Sequence, residues 1–159
     1  VNIHNEKILS VLKECQKHLY RMDMASSEIA HLIPLSARSL DNLSDNDVKT
    51  LDQFLFRFSK LQDSIGKKLF KATLLALGED IENDSFIDIL NRLEKLNLLS
   101  DVNGWFELRR LRNELAHEYE EDKESLAEAI NLIFESSHKL KSYYFAIHAE
   151  MQKRLSRTT

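Results

Sequence analysis

Arginine, asparagine and histidine fall close together in the stretch Leu108-Arg109-Arg110-Leu111-Arg112-Asn113-Glu114-Leu115-Ala116-His117-Glu118-Tyr119. A histidine with an unperturbed pKa of about 6.5 takes and gives protons near neutral pH. An arginine keeps its charge and offers a planar fork of N–H donors. On a helix each residue advances by about 100°, so Trp105, Leu108, Leu111, Leu115 and Tyr119 form one apolar arc with Arg112 inside it. A cation pointing into a bundle is costly unless it is paired or lines a cleft. Asn113 and His117, four apart, share a face, and Arg110 falls near that face. Arg112 and His117 diverge by about 140° on an ideal helix. To meet on one ligand they need a helix end between them or a second copy of the chain across a symmetric interface. The plainer alternative is an ion-paired or snorkelling arginine and a histidine that sits well at a helix C-terminus.

The rest of the chain supplies helices to position this stretch. Its 159 residues include only 3 Gly and 1 Pro, too few turn residues for a sandwich or barrel. The apolar pattern predicts an all-α, up-down bundle of about five helices, a single domain over residues 1–159 with a frayed tail at 156–159. The first helix runs from about Ile3 to Leu32, where Pro34 stops it, and Leu35 to Leu43 is a connector. Ser44 caps a second helix, Asn46 to Leu77, with Gly78 as its stop. Gly66 inside it is either a close helix contact or a weak point. A third helix, Ser85 to Leu96, directs Ile87, Leu90, Leu93 and Leu96 inward, and Asp101-Val102-Asn103-Gly104 is a break. The fourth starts near Trp105. The fifth, Lys123 to Leu155, carries a near-heptad stripe that suits a bundle core or a dimer seam.

Apolar residues make up 43% and charged residues 30% of the chain, which supports a packed core and excludes intrinsic disorder. A single cysteine, Cys15, excludes an internal disulfide and a multi-cysteine zinc site. No histidine has metal-ligand spacing, so no metal and no cofactor are expected. No Gly-rich phosphate loop is present, so nucleotide-transfer chemistry belongs to a partner. No apolar run approaches the ~20 residues of a membrane span, and Val1 to Ser10 is no signal peptide. A cytoplasmic setting without membrane contact follows. The net charge of −4 is unlike that of globally basic nucleic-acid binders and leaves room only for a local basic patch. The Lys67-Lys68-Lys71 cluster reads as a solvated helix face.

Arg112-Asn113-Glu114-Leu115-Ala116-His117 resembles the R-x4-H signature of HEPN domains. His117-Glu118-Tyr119 extends it to the R-x4-H-x-Y form of HepT-type proteins. The resemblance implies a homodimer that juxtaposes two such motifs. It implies a metal-independent ribonuclease toxin, neutralised by a cognate minimal nucleotidyltransferase antitoxin that transfers AMP to Tyr119. Arg112 would then steady the phosphorane charge and His117 would take the 2′-OH proton, leaving a 2′,3′-cyclic phosphate. Asn113 would orient His117 or bind phosphate, and Arg109 and Arg110, with the Lys67-Lys68-Lys71 cluster as the less favoured source, would attract RNA. The alternative is a non-catalytic nucleotide-binding subunit of a nucleotidyltransferase complex. Gln62-Asp63 resembles a polar pair of some HEPN relatives, and an exposed Asp63 is expected ahead of one paired with Arg112. The acidic run Glu118, Glu120, Glu121 and Asp122 opposes RNA binding.

Overall fold

A computed structural model describes residues 2–118 and 122–157, with the side chains of 116–118 outside the description. Every element among the described residues is helical: α1 Ile3–Ile29, α2 Ala37–Asp41, α3 Asp45–Ser64, a π-helical turn Ile65–Leu69, α4 Phe70–Ala76, α5 Phe86–Lys95, α6 Val102–Glu118 and α7 Lys123–Ser156. The chain is therefore an all-α bundle. Because α3, the π turn and α4 follow without a break, residues 45–76 act as one rod. None of the described helices is long and apolar enough to cross a membrane.

Local chemistry sets most of the boundaries. Ser44 accepts from the Asp47 N–H at 3.1 Å and starts α3. Ser85 and Asp88 bond reciprocally across the first turn of α5, a full capping box. Gly78, at φ +82°, ends α4, and the Glu79 N–H returns to the Leu74 carbonyl at 3.0 Å. A short 3₁₀ turn, Ala30–Leu32, completes α1 before Pro34. The expected connector 35–43 contains α2, which Ser36 caps together with Ser39.

Three details of the third and fourth helices differ from expectation. Phe86, Ile89, Leu90 and Leu93 follow the i, i+3, i+4, i+7 rule and face the core. Ile87 is therefore turned outward and is exposed, and Leu96 lies past the helix end and is exposed as well. The Asp101 segment does not break the chain before Trp105, because the Asp101 carboxylate accepts from the Gly104 N–H and starts α6 at Val102.

The buried side chains make one contiguous core drawn from every long helix. The α7 stripe of Ile130, Ile133, Ser137, Leu140, Tyr144, Ile147 and Met151 is buried inside this one chain, so it is bundle core and not a seam. Antiparallel α1 and α3 are tied by Glu14 to Ser64 at 2.7 Å, His18 to Arg57 at 3.0 Å and Thr50 to Glu28 at 3.4 Å.

Burial, and then the neighbouring Arg57 guanidinium, hold the His18 imidazole below its usual pKa. The unfolded chain binds that proton at a pH of about 6.5 and the folded chain only at lower pH. The contribution of His18 to stability is thus whole above about pH 6.5 and falls as the pH drops toward the folded value. Urea unfolding between about pH 7.5 and 5 should show less acid destabilisation in His18→Gln than in the parent.

Candidate functional site

Trp105, Leu108 and Leu111 are buried at three-residue steps along α6 and anchor it to the core. Arg112 follows Leu111 and so lies at the edge of the packed face, turned toward the α3–α4 rod. There it forms a two-pronged ion pair with Asp63. Nη1 donates to Oδ1, and Nη2 donates to Oδ2 at 3.0 Å. The expectation of an exposed Asp63 is corrected, since its side chain is 24% exposed and that of Arg112 is 35% exposed. The apolar arc does hold an arginine, and a carboxylate on another helix answers its charge. This pair spends one donor from each Nη and leaves the Nε–H and the remaining Nη hydrogens free for another acceptor.

Beside the pair lies a cleft of about 380 Å³, bordered by Gln62, Asp63, Gly66, Lys67, Lys71, Phe86, Trp105, Arg109, Arg112 and Asn113. Four cationic side chains line it against one carboxylate. Lys67 approaches Asp63 at 4.0 Å and is otherwise open to solvent. Lys68 turns away, to Glu14 at 2.9 Å on α1, so only two of the three clustered lysines serve the cleft. Arg109 sits 5.8 Å from the centre of the Phe86 ring, a cation–π contact that fixes α6 against α5.

A glycine and a tryptophan shape the cleft wall. A Cβ built on Gly66 would stand 2.7 Å from Cζ2 of Trp105, so only a bare backbone admits the indole. Gly66 is thus the close contact, not a weak point. The ring is also gripped edge-on by Phe70, centroids 4.8 Å apart, and by Tyr143 at 5.6 Å. The Tyr143 hydroxyl, pushed up to about 12 by burial, is a packing group at neutral pH.

Of the residues picked from the sequence, Arg109, Arg112 and Asn113 meet at this cleft. Arg110 is not among its lining residues, and Glu107 and Glu114 of its own helix hold it. That pairing raises the Arg110 pKa and lowers that of Glu107. The His117 side chain and all of Tyr119 lie outside the described residues, as do Glu120 and Glu121. The backbone of α6 stays helical through Glu118, so no helix end separates Arg112 from His117. Asp122, part of the acidic run, caps α7 by accepting from the Glu124 N–H at 3.0 Å and the Ser125 hydroxyl at 2.7 Å. Its bond from the Ser125 side chain is the main cause of its lowered pKa. Sequence reasoning missed Phe86, which carries no motif and arrives through the packing of α5. It favoured a solvated helix face for the Lys67-Lys68-Lys71 cluster, of which Lys67 and Lys71 line the cleft.

No group of three or more His, Cys, Asp or Glu side chains among the described residues could hold a metal ion. Cys15 is buried, and that burial pushes its thiol up to about 12, which makes it inert as a nucleophile. No family model matches the chain, and comparison with curated proteins and with solved structures found no match either.

Gly66→Ala should lower the unfolding free energy by about 1–3 kcal/mol in urea titrations, since the indole has rigid neighbours and cannot step aside. A double-mutant cycle with Asp63→Ala and Arg112→Ala should return a coupling of about 1 kcal/mol. The value is modest because water still reaches both groups.

Proposed function

We propose that the protein is a HEPN-type, metal-independent ribonuclease toxin, active as a homodimer. Its antitoxin is a separately encoded minimal nucleotidyltransferase that transfers AMP to Tyr119. The observation that carries this reading is the placement of Arg112 in a cleft where four cations face one carboxylate, on a chain of net charge −4. Such a local cationic patch suits a polyanion. The unbroken course of α6 supports the dimer. With no helix end between Arg112 and His117, a second copy is the remaining way to bring these two side chains to one phosphate.

The chemistry follows from the side chains. RNA enters with its phosphate against Lys67, Lys71 and Arg109. Arg112, held in register by Asp63, offers its free N–H groups to a non-bridging oxygen and stabilises the extra charge of the phosphorane. His117 removes the 2′-OH proton. The 2′ oxygen then attacks phosphorus, the bond to the 5′ oxygen breaks and that oxygen takes up a proton from water while the histidinium returns its own to solvent, giving a 2′,3′-cyclic phosphate and a 5′-hydroxyl. AMP on Tyr119, two residues beyond His117 in the sequence, would add bulk and negative charge to the motif and exclude RNA.

A second reading is a non-catalytic nucleotide-binding subunit of a nucleotidyltransferase complex. The observation in its favour is that Asp63 already neutralises Arg112.

The purified parent chain should cleave RNA in excess EDTA and leave cyclic phosphate ends. Arg112→Ala and His117→Ala should each lose at least about 100-fold in rate. Cleavage that persists in both variants overturns the ribonuclease reading. Intact mass after co-expression with the nucleotidyltransferase should show adenylate on the parent and none on Tyr119→Phe.

A further inference from the structure

A second opening, of about 540 Å³, lies where α7 ends beside the start of α1. Glu150, Lys153, Arg154 and Arg157 stand at i, i+3, i+4 and i+7 along the end of α7, so they share one face. Asn2 and Asn5 of α1 border the same opening. Three cations thus meet one carboxylate there. Arg154 gives its Nε–H to Glu150 at 3.0 Å, which leaves its Nη groups for another acceptor. Lys153 and Arg157 are exposed and have no carboxylate partner among the described residues. The Asn2 side-chain oxygen accepts from the His4 N–H at 2.9 Å, so its amide N–H groups remain open. The Asn5 amide makes no hydrogen bond among the described residues.

Cations suit the C-terminus of any helix, because they complement its dipole. That explains their sign in the last turn of α7. It does not explain an opening that gathers them with the amides of a second helix. The chemistry of the lining narrows the ligand. No aromatic side chain borders the opening, so a base has nothing to stack on. Exposed donors without an aromatic platform suit phosphate oxygens, and such contacts read no sequence. Helix α4 joins this opening to the cleft at Arg112. Lys71 borders the cleft and Ala76 borders the opening, five residues or about 7.5 Å apart along the helix axis.

We propose that the opening at the end of α7 is a separate phosphate-binding subsite, which holds the backbone of a single-stranded RNA beyond the nucleotides at Arg112. The subsite rests on the ribonuclease reading for its role. Lys153, Arg157 and the free Nη groups of Arg154 take non-bridging oxygens. The amides of Asn2 and Asn5 donate to the same backbone from the other side. RNA long enough to reach both openings gains affinity, with no preference for its bases. The reacting groups at Arg112 are untouched, so the subsite governs capture of the strand and not the chemical step.

Fluorescence anisotropy follows binding of a labelled single-stranded RNA of about 20 nucleotides across a salt series, on His117→Ala chains so that the strand stays intact. Adding Lys153→Ala and Arg157→Ala together should weaken binding about tenfold near 0.15 M salt. The slope of log K against log salt should shrink by about 1.4, from two contacts at about 0.7 each. Lys153→Arg should keep the parental slope. Lys13→Ala with Lys49→Ala removes two exposed cations that border neither opening and should change nothing. In chains with His117 intact, the Lys153 and Arg157 pair of substitutions should raise KM about tenfold for the long strand. It should leave kcat, and the rate on a dinucleotide, as in the parent. An unchanged slope, or an equal fall with Lys13→Ala and Lys49→Ala, overturns the subsite. So does binding to phosphatidylserine vesicles that the double variant loses while its RNA binding stays, since the opening then serves a lipid surface. All these positions are exposed, and a parental thermal midpoint verifies the fold. A shifted midpoint calls for Lys153→Gln with Arg157→Gln instead. A reduced slope on a chain that never cleaves keeps the subsite and sinks the ribonuclease reading. Cleavage with an unchanged slope does the reverse.

Discussion

The Trp105 indole lies on the bare backbone of Gly66, and that contact sets how closely α6 approaches the α3–α4 rod. A Cβ at that point would collide with the ring, which Phe70 and Tyr143 hold from two other sides. Packed interiors do not absorb such a shift gradually. The cleft inherits its form from this spacing. Close approach brings Arg112 within reach of Asp63 and puts Asn113 and Arg109 opposite Lys67 and Lys71. The π turn at the same level is the backbone's share in the arrangement, because it widens the helix where the indole docks.

Most cations in ion pairs have a carboxylate on a neighbouring helix or turn, as Lys68 has Glu14 and Lys141 has Asp23. Arg92 draws on both Glu79 and Asp84. In the cleft Asp63 is shared between Arg112 and Lys67, while Lys71 and Arg109, like Lys13 and Lys49 elsewhere, have no carboxylate partner among the described residues. A chain with a formal charge of −4 thus still presents an opening with a surplus of positive charge, and a second one lies where Lys153, Arg154 and Arg157 meet Glu150 alone. Overall charge bears on solubility and on encounter with partners, while binding follows the local field.

Much of the fold was readable from residue types. Ser44, Ser85 and Gly78 carry start and stop signals whose hydrogen bonds form within a single turn, so they need no tertiary partner. The Asp101 segment shows where such reading goes astray: an aspartate before Val102-Asn103-Gly104 looks like a break, yet its carboxylate caps the helix. Ile87 and Leu96 are equally instructive. Apolar character suggested burial, but the face of α5 that packs was decided by Phe86, Ile89, Leu90 and Leu93, which leaves Ile87 outside. The α7 stripe suited two environments, and the surrounding helices of the same chain resolved it by covering it.

At the site the division is sharper. By itself the sequence determined that Arg112 lies on an apolar helical arc and must find a partner, because helical periodicity and the cost of an unpaired buried charge are local matters. Only the tertiary structure decided that the partner is Asp63, that Lys67 and Lys71 serve the cleft while Lys68 does not, and that Gln62 and Trp105 bring unpartnered polar atoms to its wall. Asp63 and Arg112 stand 49 residues apart in the chain. Nothing local relates two such positions, and their meeting depends on how closely two helices pack, which here is set by a glycine beneath an indole ring.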